Sequence, residues 1–226
     1  MQLLTDFPQY YDGIFDGSGP VFHRMAFSRG GLSKRRQFAM FEQLGFTTPP
    51  HGPVSDLVTR GRAPEWLGPA PEQWLEEVHC VVYVDELLHG GQGKVRLSLA
   101  EAARQYPETY ASIYSPPVAR AVNFRHVRLG GIGVWLRQTG GANEWKSNRG
   151  DTETVLERTH HSGPPPIPRV LWAIDFIPTP SGLCAIDFNT APELVTLGET
   201  GTVSPDEIRA ELEKAAAEFP SHLNQF

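Results

Sequence analysis

Val170-Leu171-Trp172-Ala173-Ile174-Asp175-Phe176-Ile177, then Pro178-Thr179-Pro180-Ser181-Gly182, then Leu183-Cys184-Ala185-Ile186-Asp187-Phe188-Asn189 is the stretch that decides the fold of this chain. Two apolar runs rich in strand formers flank a Pro/Gly turn, which predicts a β-hairpin. Each run carries one acid, a residue that a buried strand ordinarily excludes. Side chains alternate along a strand, so Asp187 and Asn189 share one face and Cys184 takes the other, as core packing. An even register, for example Asp175 opposite Asp187, adds Asp175 to the polar face. Two carboxylates so close repel each other unless one takes up a proton or a cation joins them. Mg²⁺, which takes a few protein oxygens together with phosphate oxygens, resolves that conflict. The competing reading leaves both acids at strand ends in solvent.

Composition bounds what such a hairpin can belong to. With 226 residues, 40% of them hydrophobic and 20% charged, the chain can bury a core as one or two compact domains. Its net charge of -6 argues against a general nucleic-acid binder, which needs a basic face. No apolar stretch approaches a membrane span, and Met1-Gln2-Leu3-Leu4-Thr5-Asp6 lacks the basic region and apolar length of a signal peptide. A cytoplasmic protein with no membrane partner is expected. Cys80 and Cys184 sit in strand-like runs without CxxC spacing and read as reduced core thiols.

Upstream of the hairpin, residues 1–32 are aromatic and turn-rich. Ser33 caps a helix from Lys34 to Leu44 whose Phe38, Phe41 and Leu44 recur at helical spacing, and Gly45 stops it. Residues 50–70 read as an irregular connection, and 71–78 as a short helix. Cys80 to Asp85 reads as a buried strand leading into His89-Gly90-Gly91-Gln92-Gly93-Lys94. Such a loop lets backbone N–H groups of Gly91 and Gly93 approach phosphate oxygens while Lys94 supplies charge. It is not a Walker loop, because Leu88 and Val95 stand where that pattern needs Gly and Ser or Thr. Ser98 with Glu101 starts a capped helix. Arg125 to Leu129 and Val134 to Arg137 read as strands joined across Gly130-Gly131, followed by Lys146-Ser147-Asn148. His160-His161 belongs to a polar loop, since adjacent residues on extended chain point apart. Ser204-Pro205-Asp206-Glu207 starts a last helix whose Ile208, Leu212, Ala215 and Phe219 face the sheet.

In this order the motifs resemble the ATP-grasp superfamily, above all the ligases related to glutathione synthetase and glutamate-adding enzymes. The resemblance covers roughly residues 33 to 200. It implies an α+β fold, a mostly antiparallel sheet with flanking helices, with 1–70 as a reduced N-terminal region and linker and 71–226 as the nucleotide- and Mg²⁺-binding region. It further implies ATP as cosubstrate, with Gly91, Gly93, Lys94, Arg125 and Lys146 toward the nucleotide and Asp175, Asp187 and Asn189 on Mg²⁺. Arg137 and Asn148 become the catalytic residues, Arg137 neutralising the transferred phosphoryl group. The reaction implied joins a small-molecule or peptide carboxylate to an amine through an acyl phosphate. Three positions depart from the family pattern. Asp187 replaces the usual Glu, Tyr83-Val84-Asp85 lacks the usual strand lysine, and Ile113 to Pro117 lacks the acidic pair that meets the adenine and ribose. The missing strand lysine, with an N-terminal region small for a complete substrate domain, raises a second expectation, a degenerate ATP-grasp-like binding or assembly module.

Overall fold

The computed structural model of the chain describes residues 33–59, 74–86, 92–114, 121–141, 145–146, 153–156, 171–179, 182–189, 203–204, 206–211 and 214. Helix α1 (Lys34–Gln43) starts where the Ser33 side chain accepts from the Arg36 N–H and ends at Leu44. Gly45 follows with φ 77, a left-handed conformation that closes the helix by donating to the Glu42 carbonyl. Strand β1 (His51–Pro53) runs into helix α2 (Val54–Thr59), and helix α3 (Trp74–Glu77) precedes strand β2 (His79–Tyr83). Strand β3 (Lys94–Ser98), helix α4 (Leu99–Gln105) and strand β4 (Tyr110–Tyr114) complete the first half. The second half contributes the strands β5 (Val122–Leu129), β6 (Ile132–Thr139), β7 (Glu153–Leu156), β8 (Leu171–Thr179) and β9 (Gly182–Asn189), with helical residues 206–211 after them.

These strands form two sheets, in the orders β1-β4-β2-β3 and β7-β6-β5-β8-β9, and every pairing is antiparallel. Alternation along β2 splits the first sheet between two cores. Cys80 and Val82 pack with Ala111 and Ile113 under Val54, Leu57, Leu99 and Ala102 of α2 and α4. Val81 and Tyr83 face the other way and join Phe38 and Phe41 of α1 to Trp172, Ile174, Phe176 and Phe188 of the second sheet. Phe38 and Phe41 are fully buried. Burying each contributes roughly 2–3 kcal/mol, so α1 is held mainly by this stripe.

The structure bears out the α+β antiparallel architecture with flanking helices, and it corrects two local readings. Residues 51–59 are not irregular: β1 pairs with β4, His51 opposite Ser112, and α2 packs on the sheet. A three-residue strand carries no periodic signal of its own and exists only through its partner. Strand β2 ends at Tyr83 rather than Asp85, because the Asp85 N–H turns to the Gly93 carbonyl (3.2 Å) and Val84 and Asp85 are exposed. The two-residue turn at Gly130-Gly131 is as predicted, with Gly130 at φ 53. At the last helix Ser204 and Glu207 exchange the expected capping contacts, Ile208 is buried, and Glu211 accepts from the Gly131 N–H (2.9 Å). Leu212, Ala215, Phe219 and His160-His161 lie outside the described residues.

His126 packs between Trp135 (4.7 Å) and Trp172 (5.3 Å), and its Nδ1 is buried without a hydrogen-bond partner among the described residues. Burial, aided by the nearby Arg128, pushes its pKa from 6.5 down to about 4. The unfolded chain therefore takes up this proton first as pH falls, and stability drains away from about pH 6.5 down to about pH 4. We expect roughly 2 kcal/mol to be lost between pH 7 and 4.5 from this residue. Urea titrations should find that part of the pH dependence gone in His126→Phe, and an unchanged slope would clear His126 of it.

Candidate active site

Strand β9 closes one edge of the second sheet, so its outward backbone groups have no strand partner among the described residues. Helix α1 and the segment after it take that place. The Gln37 side-chain oxygen accepts from the Phe188 N–H (2.9 Å), the Lys34 ammonium donates to the Ile186 carbonyl (3.1 Å), and the Ala185 N–H donates to the Thr47 carbonyl (2.8 Å). Lys34 and Gln37 lie one helical turn apart and also bond each other (3.0 Å).

Charge gathers on the same edge. Arg125 of β5 stands opposite Asp175 of β8, and Asp175 opposite Asp187 of β9, so the three share a row across the sheet. The even register expected from the sequence is the one observed. Arg125 grips Asp175 with both fork positions, Nε to Oδ1 at 2.6 Å and Nη2 to Oδ2 at 2.9 Å. The Lys34 ammonium bonds Asp187 Oδ1, and the Lys94 ammonium faces Asp187 Oδ2 at 3.6 Å. Three cations from α1, β3 and β5 thus meet two carboxylates, a surplus of one positive charge. Burial pulls the Asp187 pKa upward, but Lys34 first and then Lys94 overcome it and hold the carboxyl well below the ordinary range. Lys34 shows the opposite balance, since burial outweighs Asp187 and lowers its pKa to about 8. Both groups remain charged at neutral pH.

Tyr83 ends the strand in which the resemblance expects a lysine. Its cross-strand partner is Lys94, whose ammonium lies 5.9 Å from the Tyr83 ring centroid, with that of Lys34 at 5.7 Å. The phenol is anchored to Ser112 (2.8 Å), so the ring floors the cluster while its neighbour carries the charge.

Of the residues singled out in the sequence, the structure brings together Lys94, Arg125, Asp175 and Asp187. Asn189 lies two residues beyond Asp187, opposite Ala173. Arg137 sits on β6 opposite Phe124, by alternation on the other face from Arg125, and is exposed. Lys146 places its ammonium 4.8 Å from the Trp145 ring centroid. Gly93 takes φ 63, while Gly91 and Asn148 lie outside the described residues. Cys184 is not on the far face. One extra β9 residue at the Asp175/Phe176 irregularity shifts the alternation, so Cys184 stands opposite Ile177 on the Asp175 side. It is buried, free and raised in pKa by that burial, as core packing requires. Lys34 and Gln37 were not anticipated, although Lys34, Gln37, Phe38 and Phe41 fall on one helical stripe.

The resemblance implies a divalent ion at this donor set. All four oxygens of Asp175 and Asp187 already face a cationic nitrogen. Among the described residues no group of three or more His, Cys, Asp or Glu gathers to hold a metal. As the side chains stand, the cluster fits its own ammonium and guanidinium groups, and it does not fit a divalent ion.

A two-sheet antiparallel α+β fold with a charged row on the hairpin beside α1 defines the class. No protein-family model matches the chain, and no curated protein matches it. Solved structures do. D-alanine-D-alanine ligase from Bacillus anthracis matches with TM-score 0.52 and 10% identity over 86% of this chain and 69% of that one. The same enzyme complexed with ATP matches with TM-score 0.50 and 10% identity over 86% and 68%. D-alanyl-alanine synthetase A from Vibrio cholerae O1 biovar eltor matches with TM-score 0.51 and 11% identity over 82% and 65%. At such identities the likeness shows the fold alone, a fold shared with these ligases. No helix among the described residues is long and apolar enough to cross a membrane.

Gln37→Ala removes the acceptor of the Phe188 N–H and one oxygen from Lys34 together. The expected cost is about 1–3 kcal/mol in denaturant unfolding, with faster hydrogen exchange at the Phe188 amide. Unchanged exchange there would show that the β9 edge does not depend on Gln37.

Proposed function

We propose that the chain is an ATP-dependent ligase that joins a carboxylate to an amine or similar nucleophile. The observation that carries the reading is the meeting of Lys34, Lys94 and Arg125 on the Asp175–Asp187 pair. A surplus of positive charge at that place, part of it buried, suits a polyphosphate, and phosphoryl transfer asks chiefly for cations aimed at oxygens that gain charge. In this reading Lys94 and Arg125, with Gly91, Gly93 and Lys146, hold the nucleotide. Arg137 and Asn148 serve the transferred group and the acceptor. A carboxylate oxygen attacks the terminal phosphorus of ATP, ADP leaves, and an acyl phosphate results. The amine nitrogen then attacks the acyl carbon, phosphate leaves, and the nitrogen gives up a proton as the amide forms. Asp175, Asp187 and Asn189 would be the residues to hold Mg²⁺ in this reading, and the ion would supply positive charge to the phosphate oxygens; in the nucleotide-free chain Lys34, Lys94 and Arg125 supply that charge to the two acids instead. The substrates proposed are small molecules or peptides.

A second reading has its own support. Every carboxylate oxygen of the pair is engaged by a side chain of the same protein, which is what a degenerate binding or assembly module would retain. Calorimetry with ATP and ADP release in the presence of candidate carboxylates and amines separate the two. We expect ATP to bind and Lys94→Met to weaken it at least tenfold, about 1.4 kcal/mol. ADP released only with carboxylate and amine present supports the ligase, binding without release supports the module, and absence of binding removes the ligase and any nucleotide-binding role of the module.

A further inference from the structure

The Lys34 ammonium is enclosed by three oxygens of three kinds: the Asp187 carboxylate, the Gln37 amide at 3.0 Å and the Ile186 backbone carbonyl at 3.1 Å. An ammonium has three donors, so this set saturates it. A carboxylate, an amide oxygen and a peptide carbonyl are also the oxygens that a hard cation takes from a protein. The Lys34 side chain is 3% exposed, so the nitrogen is a fixed resident of the cage and not a surface lysine in passing contact. Lys94 closes the remaining Asp187 oxygen, and Arg125 closes both oxygens of the facing acid.

We propose that Lys34 is a built-in cation occupying an oxygen cage on Asp187, so that the nucleotide-free protein has no divalent-ion site there and loss of the Lys34 side chain creates one. The helix delivers the charge that a dissolved ion would otherwise supply. Two consequences separate this from a salt bridge that only stabilises. The wild-type protein ignores divalent ions at this position, and the variant gains a ligand that the parent never bound. The proposal concerns the nucleotide-free protein and stands whether or not ATP is turned over.

The test uses Mn²⁺, read by electron paramagnetic resonance for stoichiometry and by thermal unfolding, on the full chain without nucleotide. Wild type should bind no Mn²⁺ in the low millimolar range and keep its Tm. Lys34→Ala should bind one Mn²⁺ per chain and rise in Tm with its concentration, and the added Asp187→Asn should abolish both effects. Lys34→Arg, which refills the cage with charge, should behave as wild type. One Mn²⁺ on wild type that Asp187→Asn removes would overturn the proposal, as would a folded Lys34→Ala that gains nothing. Should Lys34→Ala not fold, the comparison of wild type, Lys34→Arg and Asp187→Asn decides, since Mn²⁺ binding that depends on Asp187 in either charged form refutes the resident cation. A parallel titration with ATP present tests the nucleotide reading instead, and its failure leaves the nucleotide-free result untouched.

Discussion

An acid on the edge strand of a sheet sets two demands at once: its strand needs hydrogen-bond partners, and its charge needs a counter-charge. Helix α1 meets both with residues one turn apart. Gln37 takes the Phe188 N–H, and Lys34 takes the Ile186 carbonyl and the Asp187 carboxylate. The turn at Gly45 then lays Thr47 along the same strand. Once α1 is fixed against β9, Phe38 and Phe41 are committed to the core that joins the two sheets. The polar contacts set where the helix lies, and the aromatic stripe supplies most of the energy that keeps it there.

Such a cluster is poorly explained by stability alone. Burying ion pairs costs about as much as their attraction returns, and apolar residues of similar volume often serve as well or better. Lys34 shows the cost in its lowered pKa, and it also sits in the first turn of α1, where a positive charge opposes the helix dipole and no acid offsets it. A residue that breaks a local rule this way is held by something other than folding energy. The arrangement instead fixes three cations against two carboxylates in a low-dielectric place, each held in one orientation.

Much of this was legible in the sequence, for physical reasons that can be named. Asp175 and Asp187 stood out because they interrupt apolar strands, but the turn alone would set Asp175 opposite Ile186, and it is the extra β9 residue that brings Asp187 there. The caps at Ser33, Ser98 and Ser204 declared their helices. The face of Cys184 was not legible, because alternation holds only without a bulge, and nothing in Ala185-Ile186-Asp187 announces one. Nor was β1, whose three residues become a strand only beside β4. Lys34 was visible as a position on the apolar stripe of α1, but its partners lie about 150 residues away on β9, and only the folded chain brings them together.

Tyr83 shows how far position in the sequence can mislead about chemistry. Read along β2 alone, the strand lacks a cation where the resemblance expects one. Read across the sheet, Lys94 stands directly opposite, near enough for its ammonium to lie over the Tyr83 ring and face Asp187. Cross-strand neighbours on one face lie about as close as a long side chain is wide, so a charge can move from one strand to the next while its location in space barely changes. The exchange also alters the site. A phenol anchored to Ser112 gives a rigid aromatic floor with its polar tip turned away, and the cation above it gains from the ring's negative face. Within this chain the charge therefore reaches Asp187 from two directions, Lys94 across the ring and Lys34 along the strand edge.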